Sequence, residues 1–271
     1  MIEVRDLSKV YRSGMLGRER KKALDSVSFT LDNGETLGVI GESGCGKSTL
    51  SLILAKLLDA TSGTVSLNGK DVSSLKGEEL KQYHKQVQII FQNPETALDP
   101  RMKIEKCILE AIRNYKLAPR RSEEERRLLE ELIAKVGLQK EHLGRYCWEL
   151  SGGQIQRAVL ARVIALEPEL LIADEPTSML DVSVQAQILS LIKDLQRKLD
   201  FSMLFISHDL DVVRAVSDRV IVIRHGQLIE EGSTEEVYEH PKQEYTKNLL
   251  NAFYYDKNLP ELRGKGEEHC S

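Results

Sequence analysis

The residues best suited to chemistry lie together in one glycine-rich stretch, Gly41-Glu42-Ser43-Gly44-Cys45-Gly46-Lys47-Ser48-Thr49. Their spacing fits G-x-x-x-x-G-K-[ST], the pattern of a loop that wraps phosphate groups. Glycines let the backbone adopt φ > 0 and bring its N–H groups close to an anion, and a following helix points its positive end at the same anion. We therefore expect this loop to bind the phosphates of a nucleotide. Lys47 should reach the β- and γ-phosphates, and the Ser48 hydroxyl should bind Mg²⁺.

The flanking residues have the pattern that such a loop requires. Residues 37–40 form an apolar run typical of a buried strand, and residues 50–58 have the pattern of a helix. A glycine-rich turn that matches by chance would lack this strand and helix, so we favour the phosphate-binding interpretation. Because Cys45 lies among N–H groups at a helix N-terminus and near Lys47, the sequence also predicts a lowered pKa for its thiol.

Two acidic residues follow a second apolar strand, at residues 170–173. In enzymes with a phosphate-binding loop, an acid at the first position binds the Mg²⁺ that bridges the β- and γ-phosphates. A carboxylate at the next position can polarise the attacking water. We expect Asp174 to have the first role and Glu175 the second. Acids that merely cap a strand are the alternative interpretation.

A third motif, Leu150-Ser151-Gly152-Gly153-Gln154, precedes a helical pattern over residues 155–166. Ser151 is suited to cap this helix, and the two glycines leave backbone N–H groups open to an anion. An ordinary helix cap has the same composition. The motif is informative because it lies between the phosphate-binding loop and the Asp174-Glu175 pair.

Composition limits the class of protein. The chain has 271 residues, enough for one large α/β domain or for a core with a subdomain. Its net charge of −4 argues against a broad nucleic-acid surface. No apolar run approaches the ~20 residues of a transmembrane helix, and the first residues lack a signal-peptide pattern. Four cysteines without paired spacing suit a reducing compartment. The basic cluster Arg18, Arg20, Lys21 and Lys22 predicts a solvated loop.

Together and in this order, the motifs resemble those of the ATP-binding cassette ATPases, over residues 2–250. The resemblance implies that Gln92, after a predicted strand, senses Mg²⁺ and water and connects to a transmembrane partner. It implies that His208 contacts the γ-phosphate and that Tyr11 stacks on adenine. Taken singly, each of these three residues has a purely structural interpretation, so their assignments depend on the family.

The resemblance also implies a pair of cassettes. Residues Ser151-Gly152-Gly153-Gln154 would serve the nucleotide of the other subunit, and Ser178-Met179-Leu180-Asp181 would cross to that subunit. The family more often has Ala at the place of Met179, whereas Asp181 is retained. A head-to-tail pair would then bury two ATP molecules, and hydrolysis would open it.

The implied fold is α/β, with a RecA-like P-loop NTPase core whose sheet is mostly parallel. An N-terminal antiparallel β part and a helical insert complete it, since the pattern between residues 103 and 143 is helical and densely charged. The predicted limits are residues 1–91 and 155–240 for the core, 92–154 for the helical signature subdomain, and 241–271 for a C-terminal tail that frays near residues 264–268.

Four segments resemble the oligopeptide, dipeptide and nickel importers within this family. Two departures matter: Gln243-Glu244 stands where the family often has His-Pro, and only Cys270 stands where many peptide-type members have a Cys-rich extension. The second departure leaves a nickel or metallophore importer open. Residues 93–101 predict a surface loop that docks a membrane partner. The resembling segments are Phe91-Gln92-Asn93-Pro94, Ala97-Leu98-Asp99-Pro100-Arg101-Met102, residues 181–189 and Tyr245-Thr246-Lys247-Asn248-Leu249-Leu250.

The resemblance therefore implies an ATPase subunit that powers the uptake of oligopeptides, dipeptides or nickel. Its partners would be two polytopic membrane subunits, a second ATPase that is paralogous or identical, and indirectly an extracytoplasmic solute-binding protein, with no nucleic acid. It would lie peripherally at the cytoplasmic face of the cell membrane. Two alternatives are a soluble cassette ATPase acting on DNA or ribosomes, which usually has two cassettes or a long coiled-coil insert, and a small-molecule kinase, which the Ser-Gly-Gly motif disfavours.

Overall fold

The larger of two sheets has six strands, and several of these strands end near the glycine-rich loop. A computed structural model describes residues 1–13 and 19–263 of the chain. The strand order is β10-β9-β3-β8-β7-β6, in which β10 is antiparallel to β9 and the other neighbours are parallel. The strands are β3 (Thr36–Ile40), β6 (Val87–Ile90), β7 (Leu170–Asp174), β8 (Ser202–Ile206), β9 (Arg219–Arg224) and β10 (Gln227–Ser233).

Burial explains the apolar runs of these strands. Every residue of β3, β7 and β8 is buried, as expected for parallel strands covered on both faces. The carboxyl ends of parallel strands meet at one edge of a sheet. Residues that follow β3, β6, β7 and β8 are therefore brought to the same edge.

The smaller sheet has four antiparallel strands in the order β2-β1-β4-β5. They are β1 (Ile2–Ser13), β2 (Glu19–Leu31), β4 (Ser62–Leu67) and β5 (Lys70–Asp71). The alternation of apolar and polar residues over 26–31 predicts a strand, and β2 ends at Leu31. Arg20, Lys21 and Lys22 are exposed to solvent as predicted, but they lie on β2 and pair with β1, so the prediction of a loop is wrong for them. Arg18 lies outside the described residues.

Helices cover the larger sheet and form a separate layer after β6. In this layer α3, α4 and α5 pack on one another, and their apolar faces join the main hydrophobic core. None of the helices in the described residues is long and apolar enough to cross a membrane. The helices are α1 (Lys47–Leu54), α2 (Gly77–Gln86), α3 (Ile104–Asn114), α4 (Glu123–Val136), α5 (Gly152–Ile164), α6 (Val182–Leu199), α7 (Leu210–Val216), α8 (Thr234–Glu239) and α9 (Glu244–Arg263).

The segment after β6 differs from the predicted surface loop. Residues 94–97 form a single 3₁₀ turn, and Asn93 caps it by accepting a hydrogen bond from the N–H of Glu95. Pro94 is buried, and Leu98 is only 2% exposed within the main core. The interpretation as a surface loop is therefore wrong for these two residues, whereas Glu95 and Thr96 are exposed.

The last segment is helical up to Arg263. Thr246 and Leu250 on α9 are buried, so the start of this helix is packed against the body of the protein. The predicted fraying at residues 264–268 lies outside the described residues.

Candidate nucleotide site

The glycine-rich loop connects β3 to α1. Gly41, Gly44 and Gly46 have φ values of 150°, 77° and 119°. A Cβ atom would lie 2.2 Å from the carbonyl oxygen of Ile223 at Gly41 and 2.4 Å from that of Ala23 at Gly46. Glycine is required at both places because of backbone conformation and close packing.

Lys47 is folded back into this loop. Its Nζ donates to the carbonyl oxygens of Gly41 (2.6 Å) and Glu42 (2.9 Å), and the residue is only 8% exposed. Phosphate oxygens are the acceptors that such an ammonium group meets in a nucleotide-bound loop. The cation is therefore held at the loop by acceptors that phosphates can replace.

Cys45 corrects one expectation from the sequence. Its side chain is buried and its Sγ lies 3.7 Å from the Lys47 Nζ. Burial raises the pKa of the Cys45 thiol, although Lys47 acts in the opposite direction. The predicted low pKa is wrong, because the loop turns this side chain into the core instead of toward the open phosphate site.

Asp174 ends β7 at the same edge of the sheet. Its Oδ2 accepts a hydrogen bond from the Ser51 hydroxyl (2.8 Å), one turn into α1. Burial raises the pKa of Asp174, against the effect of hydrogen bonds from Ser51 and Ser48. The sequence did not single out Ser51, although its place four residues after Lys47 on one helix face is a usable signal.

Glu175 is held at the centre of the candidate site. Its backbone has φ of 52°, and its N–H donates to the carbonyl oxygen of Ile206 at the end of β8 (2.8 Å). Its Oε2 accepts a hydrogen bond from Gln92 Nε2 (2.7 Å) and lies 3.4 Å from His208 Nδ1. Residues that follow β6, β7 and β8 therefore converge on one carboxylate.

A cavity of about 520 Å³ lies between the glycine-rich loop and the side chains of Gln92, Glu175 and His208. Tyr11 forms one wall: it is 38% exposed, its hydroxyl lies 3.4 Å from Thr49 Oγ1, and Lys9 Nζ lies 5.4 Å from its ring centroid. Lys21 and Ala23 also line the cavity, but the sequence did not predict them. Lys21 is brought to the cavity only because it pairs with Tyr11 across β1 and β2, a contact that local spacing does not show. The cavity is lined by Tyr11, Lys21, Ala23, Gly41, Ser43, Gly44, Gly46, Lys47, Ser48, Thr49, Gln92, Glu175 and His208.

The Ser-Gly-Gly-Gln motif lies elsewhere. Ser151 caps α5, with its Oγ 3.4 Å from the Gln154 N–H and the Gln154 Oε1 3.0 Å from the Ser151 N–H. A Cβ atom at Gly153 would lie 2.6 Å from Val184, and one at Gly152 would lie 2.9 Å from Leu180. Ser151 and Gly152 are exposed, and the motif does not line the nucleotide cavity formed by the described residues.

Asp181 is also absent from the described lining of that cavity. Its carboxylate caps α6 by accepting hydrogen bonds from the N–H of Val184 (2.9 Å) and the hydroxyl of Ser183 (2.7 Å). These contacts, with the Val184 amide first, lower the pKa of Asp181. Met179, two residues earlier, is 65% exposed. The segment is fixed at α6 and presents its tip to solvent.

A groove of about 630 Å³ lies between the sheet and the helical layer. Arg162 of α5 fixes one side of it by donating to the carbonyl oxygen of Ala97 (2.6 Å) and to Glu110 (2.9 Å). Leu57, Phe91 and Thr96 are among the residues that line it. Residues of β6 and of the segment that follows it, which also contains Gln92, line one side of the groove.

Known proteins are similar to this chain in sequence and in fold. The sequence model of the ABC transporter family matches residues 24–178. The oligopeptide transport ATP-binding protein OppF of Bacillus subtilis is 44% identical over 93% of this chain and 82% of its own length. The dipeptide transport ATP-binding protein DppF of Lactococcus lactis is 42% identical over 93% of this chain and 80% of its own length.

Solved structures agree with the sequence comparison. The dimeric post-hydrolysis state of the ATP-binding cassette MJ0796, bound to ADP and Pi, superposes with a TM-score of 0.77 at 28% identity. It covers 86% of this chain and 99% of that cassette. These findings confirm the predicted α/β fold and the predicted family, and they give no support to the soluble, non-transport alternative. The chain belongs to the ABC transporter family and is one of its ATPase cassettes.

Proposed function

We propose that this cassette hydrolyses ATP to power the import of oligopeptides or dipeptides through separate membrane subunits. One observation carries the ATPase part: β3, β6, β7 and β8 bring the glycine-rich loop, Gln92, Glu175 and His208 to a single cavity. The peptide part is supported by relatives named as oligopeptide and dipeptide transport ATP-binding proteins. Nickel import is the competing solute class.

The contacts support distinct roles for the residues of the cavity. Lys47, released from Gly41 and Glu42, would bind the β- and γ-phosphates, while the loop N–H groups hold the same anion. Glu175 would orient the attacking water and take its proton, since Gln92 and His208 fix its carboxylate in place. Tyr11 would stack on the base.

The residues near Asp174 fit Mg²⁺. This ion takes oxygen ligands, and the Ser48 hydroxyl, the Asp174 carboxylate and the Gln92 amide are oxygen donors at this edge of the sheet. Burial disfavours a lone negative charge on Asp174, so a cation beside it would compensate the charge. When bound, Mg²⁺ would neutralise charge that develops across the β- and γ-phosphates.

The exposed motifs support pairing of two cassettes. Ser151, Gly152, Gly153, Gln154 and Asp181 do not line the described part of the nucleotide cavity of their own chain. A second cassette, paralogous or identical, would receive them at its own nucleotide. The dimeric state of the related cassette MJ0796 supports this arrangement.

Membrane subunits would bind in the groove between the sheet and the helical layer. The proposed assembly contains two polytopic permease subunits and places the cassette at the cytoplasmic face of the membrane. A solute-binding protein would act through the permeases. Nucleic acid has no role in this assembly.

Uptake measurements in a strain that lacks this gene would test the proposal. We expect the wild-type gene to restore uptake of a radiolabelled tripeptide and Glu175→Gln to restore none. Glu131→Gln, a change at an exposed residue of α4, serves as the matched control and should restore uptake fully. Restored nickel-63 uptake without peptide uptake would overturn the peptide assignment, and uptake of neither solute would overturn the import function.

A further inference from the structure

The C-terminal helix contacts the phosphate-binding loop directly. The hydroxyl of Tyr245, the second residue of α9, accepts a hydrogen bond from the backbone N–H of Glu42 (3.2 Å). These residues are 203 positions apart in the sequence. Glu42 itself is exposed, so this contact constrains a part of the loop that packing leaves free.

Two contacts at the start of α9 hold Tyr245 next to the phosphate-binding loop. The Glu230 carboxylate, in a residue only 8% exposed, accepts hydrogen bonds from the N–H groups of Lys242 (2.6 Å) and Gln243 (3.1 Å). The Arg224 guanidinium lies 4.7 Å from the centroid of the Tyr245 ring. Both contacts restrict where the hydroxyl can go, the first through the backbone and the second through the ring.

Glu42 is therefore held on both sides of its backbone. Tyr245 binds its N–H, and the Lys47 Nζ donates to its carbonyl oxygen (2.9 Å). Lys47 has to leave this carbonyl in order to bind a phosphate. The Cys45 N–H also donates to this carbonyl oxygen (3.3 Å), but Cys45 belongs to the same loop. The contact with Tyr245 is the described hydrogen bond that joins the Glu42 backbone to a residue outside the loop.

We propose that Tyr245 is a positioning residue that keeps the phosphate-binding loop in its binding conformation while Lys47 moves to the nucleotide. The inference rests on the proposed role of residues 41–49. A loop that is already ordered loses less entropy when the nucleotide binds, so Tyr245 raises nucleotide affinity. It touches neither the γ-phosphate site nor Glu175, so it leaves the chemical step unchanged.

The test compares Tyr245→Phe with Tyr254→Phe in the full chain. Tyr254→Phe is the matched control because it removes a hydroxyl from the same helix, at a residue that interacts with Arg214. For Tyr245→Phe we expect the Kd for ATP by calorimetry, and the KM, to rise about three- to tenfold, the effect of one net hydrogen bond. We expect kcat and the melting temperature to match those of the control.

Amide hydrogen exchange at Glu42 reports on the hydrogen bond with Tyr245 itself, and Tyr254→Phe shows the effect of a general change in α9. The Glu42 amide should exchange faster in Tyr245→Phe and at the wild-type rate in Tyr254→Phe. Arg224→Gln, a change at an exposed position, should shift the Kd in the same direction because it frees the same ring.

Three outcomes would overturn the proposal: a Kd within twofold of wild type for Tyr245→Phe, an unchanged Glu42 exchange rate, or equal losses in Tyr245→Phe and Tyr254→Phe. Failure of the wild-type chain to bind ATP is a different result. It would refute the role of the loop itself.

Discussion

At the scale of single residues, Glu175 is the most constrained group of the site. Its left-handed backbone costs about 1–3 kcal/mol for a residue other than glycine, and Ile206, Gln92 and His208 hold it there. Strain of this kind clusters at functional sites. The arrangement places one carboxylate where three strand ends meet, next to the cavity that the glycine-rich loop lines.

We predict that Glu175→Gln lowers the rate of ATP hydrolysis by about 10²–10⁴-fold, the usual contribution of a general base. Glutamine keeps the shape and an acceptor oxygen but cannot take a proton from water. Nucleotide affinity should stay within a few fold of wild type. A phosphate-release assay and calorimetry on the same preparation check both parts, and near-normal hydrolysis would remove Glu175 from this role.

We expect nucleotide choice to depend on Tyr11, which lines the same cavity. The Lys9 Nζ lies over the Tyr11 ring. Stacking on this ring would recognise the face of a base and not its edge, and every purine has such a face. We therefore predict that GTP is hydrolysed at a rate comparable with ATP and that Tyr11→Ala weakens both equally. Competition between the two nucleotides in the hydrolysis assay is the measurement. Strict preference for ATP would reveal contacts to the edge of the base.

Local spacing predicted the residues of the phosphate-binding loop, but not which way each side chain points. Cys45 shows the difference, since its place in the motif suggested an activated thiol and its burial has the opposite effect on the pKa. Lys21 shows it again, because only the pairing of β1 with β2 brings it to the cavity. Such orientations depend on contacts between residues far apart in the chain.

At the scale of elements, a buried charged pair joins two helices of the helical layer. Arg113 of α3 donates to both oxygens of Glu125 of α4 (2.7 and 2.9 Å), and the Arg121 N–H donates to the same carboxylate. The Glu125 side chain is only 5% exposed. The Arg113 hydrogen bonds are the largest cause of the lowered pKa of Glu125. Two helices are thereby joined at their ends.

We predict that Glu125→Gln lowers the free energy of unfolding by about 1.5–3 kcal/mol at pH 7. Because the folded-state pKa of Glu125 is lowered, its contribution is full above the usual glutamate pKa of about 4.3 and is lost as the pH falls through the folded value. The difference between wild type and variant in urea should therefore shrink on acidification below pH 4.

A control separates this pair from surface charges. Glu131 of α4 lies 3.8 Å from Arg127, and both side chains are more than half exposed. Glu131→Gln should change the free energy of unfolding by less than about 0.5 kcal/mol at any pH. An equal effect of both changes would show that the Arg113–Glu125 pair has no special role.

The strands β3, β7 and β8 were predictable because their apolar runs are fully buried, whereas α2 was missed. This helix has one buried residue, Tyr83, among mostly charged and polar ones, so its sequence lacks a clear apolar face. The prediction that Leu98 lies in a surface loop was wrong for another reason. Its neighbours have loop composition, and only the folded chain shows that its side chain enters the core.

At the scale of the whole molecule, one short segment joins the two cavities. Gln92 lines the nucleotide cavity and binds Glu175, while Phe91, Thr96 and Ala97 line the groove between the sheet and the helical layer. A partner that docks in the groove would therefore press on the segment that positions the proposed catalytic carboxylate. This continuity favours the groove as the place where hydrolysis and transport are coupled.

We predict that Glu95→Ala combined with Thr96→Arg leaves ATP hydrolysis by the isolated chain within about twofold of wild type and abolishes peptide uptake by the assembled transporter. Both residues are exposed, and Leu98 has to stay because it is buried in the core. The arginine would fill the groove without touching the phosphate-binding loop, Asp174 or Glu175. Thr64→Arg, at an exposed position of β4, is the matched control and should leave uptake intact. Normal uptake by a normally assembled transporter with the double change would place the docking surface on another face of the cassette.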